Sequence, residues 1–302
     1  MTIAGRREAG PETHYKLYVY GKYADPLFQK YKNAATFLAG DRPNVEAVVE
    51  GFYETQFEQQ VKLIVSTYGD HFNQCKPTAP IIFAETDENI LYFANEERFM
   101  QWAWKRFKYE DRTRLIFYKK LGMKARMQTR ENSGRSYCAI SVAIGDEPRE
   151  TVHLELFDEQ CPELVGNFIA LLQKEQFNGH PVHRIKSGAW VQAGDLVDGS
   201  GLHSVAANGE LLRDESFEFR HDRAGLLGMS NHGKDTNGSQ FYITLRELPF
   251  LDGKSVIIGR VVSGMRAVWK INRVPTRNER PSQVVSLYAE LEHTKLGTAH
   301  AQ

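Results

Sequence analysis

The stretch Leu226–Thr244, reading Leu-Leu-Gly-Met-Ser-Asn-His-Gly-Lys-Asp-Thr-Asn-Gly-Ser-Gln-Phe-Tyr-Ile-Thr, constrains this chain more than any other. A short apolar strand enters a loop dense in Gly, Asn, Asp and Ser, and a second apolar strand leaves it. Asn231 and Gln240 bracket the loop, and each amide offers donors and an acceptor together. Between them Gly233, Asn237 and Gly238 are the positions expected to take the positive φ values that a tight loop requires.

The rest of the composition narrows the field. At 302 residues the chain exceeds one small core and fits two domains. Lys and Arg equal Asp and Glu in number, so nothing global draws it to nucleic acid or an anionic membrane. No apolar run is long enough to span a bilayer, and the polar residues 1–13 are expected not to be a secretory signal. Cys75, Cys138 and Cys161 have neither CxxC nor paired spacing, which points away from disulfides and zinc and toward a reducing, cytoplasmic setting. His180 and His183 lack a third ligand at recognisable spacing, so neither a metal nor a cofactor is expected.

From the N-terminus, the alternation in Tyr15–Tyr20 predicts a strand. Pro26 opens a helix with apolar residues at Leu27, Phe28, Tyr31, Ala34, Ala35 and Leu38. A second strand over Val45–Gly51 and a helix over Phe52–Thr67 follow, then paired strands at Ile81–Ala84 and Ile90–Ala94, and a helix over Glu96–Phe107. This order, with Ala79-Pro80 before the third strand, resembles the thioredoxin-like fold over residues 14–108, and the resemblance makes Pro80 a candidate cis proline. Where redox members carry Cys-x-x-Cys the chain has Gly21-Lys-Tyr-Ala-Asp-Pro26, so dithiol exchange has no nucleophile and a docking module is expected.

Residues 109–136 are rich in Lys and Arg and read as a basic linker. Leu115–Tyr118 is a candidate short helix or docking element within it, suited to an acidic surface such as tubulin tails or RNA. Interleaved aromatics are too few to favour single-stranded RNA.

Beyond the linker, Tyr137–Ile144 and Glu150–Leu156 pair as strands around Gly145-Asp-Glu-Pro148, and a helix runs over Glu163–Lys174. The run Leu154-Glu-Leu-Phe-Asp-Glu-Gln-Cys-Pro-Glu-Leu-Val-Gly-Asn-Phe168, then His183-Arg184-Ile185, Gln192-Ala-Gly-Asp195, Phe217-Glu218, Met229–Tyr242 and Leu251-Asp-Gly-Lys254 occur in order. Together they resemble the cyclophilins, the prolyl cis-trans isomerases, over residues 137–292. The resemblance implies an all-β closed barrel capped by two helices, following the α/β domain. A narrower likeness is carried by Trp190 in Gly-Ala-Trp-Val-Gln-Ala-Gly-Asp and by Val274–Pro281. It is to N-terminally extended members whose relatives accompany motile cilia. That implies proline-containing segments of proteins as ligands, and axonemal or other large-assembly proteins as partners, in cytoplasm or cilium.

Rotation about an X–Pro bond breaks amide resonance, with a barrier of about 18–20 kcal/mol. A catalyst must seat the proline ring, grip the flanking backbone and favour the twisted amide over the planar one. By resemblance Arg184 is the catalytic cation and Gln192 its supporting amide; Asn231 and Gln240 hold peptide backbone. The residues alone leave other roles open: a surface salt bridge for Arg184, and loop-satisfying buried amides for the other three. The pocket walls depart from the family pattern. Ala189-Trp190 replaces Phe-Met, Ser230 an alanine, Tyr242 a phenylalanine, Phe250 a tryptophan and Ser255 a histidine, while Leu251 is kept. Losing the phenylalanine at Ala189 removes on the order of 100 Å² of apolar wall. At ~25 cal/mol per Å² that weakens proline binding by up to about 2–3 kcal/mol unless Trp190 refills the space. Two functions follow: an isomerase with altered or weak turnover, or a non-catalytic adaptor that uses both domains to dock.

Overall fold

The computed structural model describes residues 13–293. The polar leader read as carrying no secretory signal lies outside the described residues, apart from Thr13. The chain separates into two units, divided between Thr129 and Arg130.

The first unit runs β1 (Tyr15–Lys22), α1 (Pro26–Asp41), β2 (Val45–Phe52), α2 (Glu54–Tyr68), β3 (Ile81–Glu85), β4 (Ile90–Tyr92), α3 (Glu96–Phe107) and most of α4 (Leu115–Ser133). Its sheet has the order β2-β1-β3-β4, with β1 parallel to β2 and the other pairs antiparallel. The alternation along β1 sorts its side chains. Tyr15, Leu17 and Val19 pack with Phe28, Tyr31 and Phe99 of α1 and α3, while Tyr20 packs with Phe57, Val61 and Ile64 of α2. Asp25 caps α1, its carboxylate accepting from the amides of Leu27 and Phe28 at 2.8 and 3.2 Å, with Pro26 in the first turn.

Two expectations change here. The described residues contain no cis peptide bond, so Pro80 is trans. The chain reaches β3 through a turn closed by the Ala79 amide on the Lys76 carbonyl (3.2 Å), which leaves the lower-energy isomer in place. The basic stretch 109–136 is largely helix, and Leu115–Tyr118 is only its first turn. It holds no proline and its residues are mostly good helix formers. Tyr118 is buried; its hydroxyl donates to Asp111 (2.7 Å) and accepts from Asn33 (3.2 Å). Gly122 has no room for a side chain, since a Cβ there would lie 2.8 Å from the Ala24 carbonyl oxygen.

The second unit contains β5 (Tyr137–Ile144), β6 (Glu150–Leu156), α5 (Pro162–Gln173), β7 (Val182–Lys186), β8 (Trp190–Ala193), β9 (Leu226–Met229), β10 (Phe241–Thr244), β11 (Ile257–Ser263), α6 (Met265–Asn272), β12 (Thr276–Arg277), β13 (Arg280–Pro281) and β14 (Val285–His293). Eight strands form one antiparallel sheet in the order β14-β5-β6-β11-β9-β10-β8-β7. Its ends meet at the Pro181–Ser286 bridge, flanked by Gly179 N–H to Leu287 O at 2.8 Å and Leu287 N–H to His180 O at 2.9 Å. The result is a nearly closed barrel. Alternate residues fill it, and α5 (Leu164, Phe168, Leu171) and α6 (Met265, Val268, Ile271) pack apolar faces on the same core. No helix among the described residues is long and apolar enough to cross a membrane.

Candidate functional site

Register builds the site. Arg184 on β7 pairs with Gln192 on β8, Gln192 with Tyr242 on β10, and Tyr242 with Gly228 on β9. Their sequence neighbours Ile185, Val191, Ala193, Phe241, Ile243, Leu227 and Met229 belong to the barrel core. With a period of two, the row itself therefore faces outward as one stripe across four strands.

At one end of the stripe the Arg184 guanidinium lies 5.4 Å from the Trp190 ring centre, and its Nε donates to Glu279 Oε2 at 2.6 Å. The other oxygen of Glu279 accepts from Lys186 Nζ. Hydrogen bonds from Lys186 and Arg184 hold the Glu279 carboxyl below the ordinary glutamate range. Glu279 stands on the turn between β12 and β13, where Asn278 and Glu279 both take left-handed φ values of 50° and 64°. Its own carbonyl accepts from the Ile185 amide at 2.7 Å, which lays the hairpin against β7. Of the roles the sequence left open for Arg184, the structure shows the salt bridge.

In the middle of the stripe the amides are committed inside the protein. Gln192 Nε2 donates to Ser230 Oγ and to Gln240 Oε1, both at 2.9 Å, and Gln192 Oε1 accepts from the Trp190 indole N–H at 3.2 Å. Gln240 Nε2 donates to the carbonyls of Gly201 (3.0 Å) and His203 (2.8 Å). Asn231 Nδ2 donates to the Lys254 carbonyl at 2.9 Å. The loop between these amides differs in detail from expectation. Gly233 and Asp235 are its positive-φ residues, not Asn237 or Gly238. Asn237 is buried and donates to Asp214 (2.8 Å). Gly238 is required by close approach, because a Cβ would fall 2.5 Å from Ser204 Oγ.

The far end holds a chain of polar contacts that the sequence did not announce. Asp252 Oδ1 accepts the backbone N–H of His221 at 2.8 Å and lies 2.9 Å from its Nδ1. A carboxylate only accepts, so Nδ1 carries the proton and Nε2 accepts from the Tyr242 hydroxyl, 2.6 Å away. Burial pushes the Tyr242 phenol up, while the backbone N–H of His221 leads the contacts that hold Asp252 down. Tyr242 fits only because residue 228 is glycine: a Cβ there would lie 2.3 Å from Tyr242 Cζ.

The walls assemble around this row. The Trp190 ring is 6.3 Å from that of Tyr242 and 6.4 Å from that of Phe250, so the indole spans the area between Arg184 and Phe250. Ala189 is buried at the turn before β8, its carbonyl accepting from the Leu245 amide. Leu251 ends the short 3-10 turn that carries Phe250, and the buried Ser255 hydrogen-bonds back to it through its amide. His183, next to the cation, is buried, which pushes its pKa down. Asp195, Asp198 and His203 lie together, but the Asp195 carboxylate already accepts the amides of Val197 and Gly201 at 3.0 and 2.7 Å. Sequence reasoning missed Glu279, Lys186, His221, Asp252 and Gly228. Gly228, inside Leu226–Thr244, Asp252, inside Leu251-Asp-Gly-Lys254, and Glu279, inside Val274–Pro281, lay in stretches already singled out; Lys186 and His221 did not.

Residues 139–289 match the family described as cyclophilin type peptidyl-prolyl cis-trans isomerase/CLD. The chain belongs to the cyclophilin family. Among similar cyclophilins is the "probable inactive peptidyl-prolyl cis-trans isomerase-like 6" of Bos taurus, 28% identical over 291 residues, covering 90% of this chain and 91% of the relative. The Homo sapiens protein of the same name is 27% identical over 289 residues, 90% of this chain and 89% of its own length. The NK-tumor recognition protein of Mus musculus is 35% identical over 153 residues, which is 47% of this chain and 10% of that protein. The likeness to the first two relatives therefore extends through the N-terminal unit, whereas the third shares about half the chain.

Proposed function

We propose that this cyclophilin binds proline-containing peptide segments in the groove beside Arg184 and isomerises them slowly. One observation carries the reading: the cation that would favour the twisted amide is held by Glu279 at 2.6 Å. In the reaction the prolyl nitrogen loses conjugation and gains a lone pair, to which a guanidinium N–H can donate. A guanidinium already bonded to a carboxylate offers less field there, and each ~1.4 kcal/mol of lost stabilisation slows the step about tenfold. Two further contacts favour slow turnover. The Gln192 amide would have to leave Ser230, Gln240 or Trp190 to grip a peptide, and a proline ring beside Arg184 would have to share the space with the Trp190 indole, which stands between Arg184 and Phe250. The "probable inactive" in the names of similar proteins agrees with this direction. NMR exchange on an Ala-Ala-Pro-Phe peptide tests it. Weak exchange above background should vanish in Arg184→Ala and rise about three- to tenfold in Glu279→Gln. Exchange at background in all three proteins would exclude the isomerase.

A second reading, that the chain is an adaptor in a larger assembly such as an axoneme, is favoured by helix α4. Opposite its packed residues Tyr118 and Gly122, it exposes Ile116, Met123 and Met127 among Lys119, Lys120 and Lys124. That face suits an acidic protein surface. On this reading the first unit is a thioredoxin-like docking module in which Asp25 caps a helix near the usual dithiol position. Native complexes recovered after crosslinking should contain the chain; a wholly monomeric, freely soluble pool would count against it.

A further inference from the structure

Arg184 and Lys186 leave β7 on the same outer face, and one carboxylate answers both. Lys186 is in register with Trp190, so this second cation stands at the rim of the groove. The acid that neutralises the pair is not part of the barrel. It sits on a two-residue hairpin turn, and the side chains of Arg184, Lys186 and Glu279 are 42%, 48% and 31% exposed. Arg280 lies beside it on the same hairpin, with its guanidinium on the Ser200 carbonyl at 2.8 Å. Two cations thus share one carboxylate. Ion pairs this open to water contribute little to stability, so exchanging one carboxylate for another costs little.

We propose that Glu279 is an internal stand-in for an anionic side chain of the ligand. The groove takes proline-containing peptides that carry a carboxylate or phosphate next to the proline, and the incoming anion displaces Glu279 from Arg184 and Lys186. This inference rests on the proline-peptide reading above and names its ligand class. A phosphate or carboxylate fits the pair because a guanidinium and an ammonium side by side offer several N–H donors to one group of anionic oxygens. The displaced Glu279 turns to solvent on its exposed hairpin, and no covalent step is involved.

The test is a calorimetric titration of the full chain with four peptides, Ala-Xaa-Pro-Phe, in which Xaa is Ala, Glu, phosphoserine or Lys. The Glu and phosphoserine peptides should bind about three- to tenfold tighter than the Ala peptide, and the Lys peptide weakest. Phosphoserine ahead of Glu would mark a phosphate site, and equal affinity a general anion site. Lys186→Met should abolish the preference for anionic peptides with its melting temperature unchanged, since Lys186 is an exposed side chain. Glu279→Gln should tighten the Glu and phosphoserine peptides by removing the internal competitor, leave the Ala peptide nearly unchanged and weaken the Lys peptide, which then meets two unneutralised cations. Equal binding of the Ala and Glu peptides overturns this inference and leaves the proline groove standing. If no peptide binds, the proline-groove reading fails and this one fails with it.

Discussion

Placing a methyl group on Gly228 tests the architecture of the groove floor more sharply than any change at the cation. The new Cβ would lie 2.3 Å from Tyr242 Cζ and 2.4 Å from its hydroxyl oxygen. The phenol is buried and tied to His221, so it cannot swing aside without breaking the 2.6 Å contact. Overpacking of this kind costs about 1–3 kcal/mol. Expelling the hydroxyl leaves His221 Nε2 buried without a partner, for about 1–3 kcal/mol more. Gly228→Ala should therefore destabilise the barrel by about 2–6 kcal/mol. Tyr242→Phe alone should cost about 1–3 kcal/mol through the same orphaned nitrogen. The two losses share a term, so the double variant should recover at least about 1 kcal/mol relative to their sum. Urea unfolding followed by hydrogen exchange in peptides from 226–244 reads the barrel separately from the first unit. Additive effects, within about 0.5 kcal/mol, would mean that Gly228 and Tyr242 do not share the space described.

Two other outcomes follow from the structure. The Glu279 carboxyl is held below its unfolded value, so its stabilisation is complete above about pH 4.3 and is lost as pH falls through the lower folded value. The melting-temperature gap between wild type and Glu279→Gln, worth under about 1 kcal/mol for so open a pair, should close on acidification; a gap that widens refutes the pairing. Asp25→Ala removes the carboxylate that receives the Leu27 and Phe28 amides and should cost about 1 kcal/mol. Amide exchange should accelerate in the first turn of α1, and unchanged protection there would contradict the cap.

What was legible in the sequence was what is local or periodic. The alternation of Tyr15–Tyr20, the helix start at Pro26 and the strand–loop–strand of Leu226–Thr244 each declare themselves within a few residues. Most groove residues became visible only because several such landmarks occur in a fixed order. Contacts that cross the chain were not legible. Glu279 meets Arg184 from a hairpin far downstream, and Asp252 meets His221 across a separation of 31 residues. No spacing rule joins either pair: the β12–β13 hairpin reaches Arg184 by lying against β7, and the loops before β9 and after β10 bring His221 to Asp252. Pro80 shows the opposite failure: the order of elements invited a cis bond, and the turn at Lys76–Ala79 delivers the strand without one. The length of α4 was within reach of helix propensity, but a reading that weighed charge first stopped at its opening turn.

The β12–β13 hairpin has one more consequence, which concerns solubility rather than chemistry. Strand β7 ends the sheet order, so its outer edge is a row of backbone groups that another chain could pair with. The Pro181–Ser286 bridge covers one end of that edge, and the Glu279 carbonyl takes the Ile185 amide in the middle. The turn that restrains the cation is thus also a guard rail for an open strand. Removing the turn to free Arg184 would expose that edge to strand addition between copies, so substitution of the Glu279 side chain, which leaves the carbonyl in place, is the change the barrel tolerates.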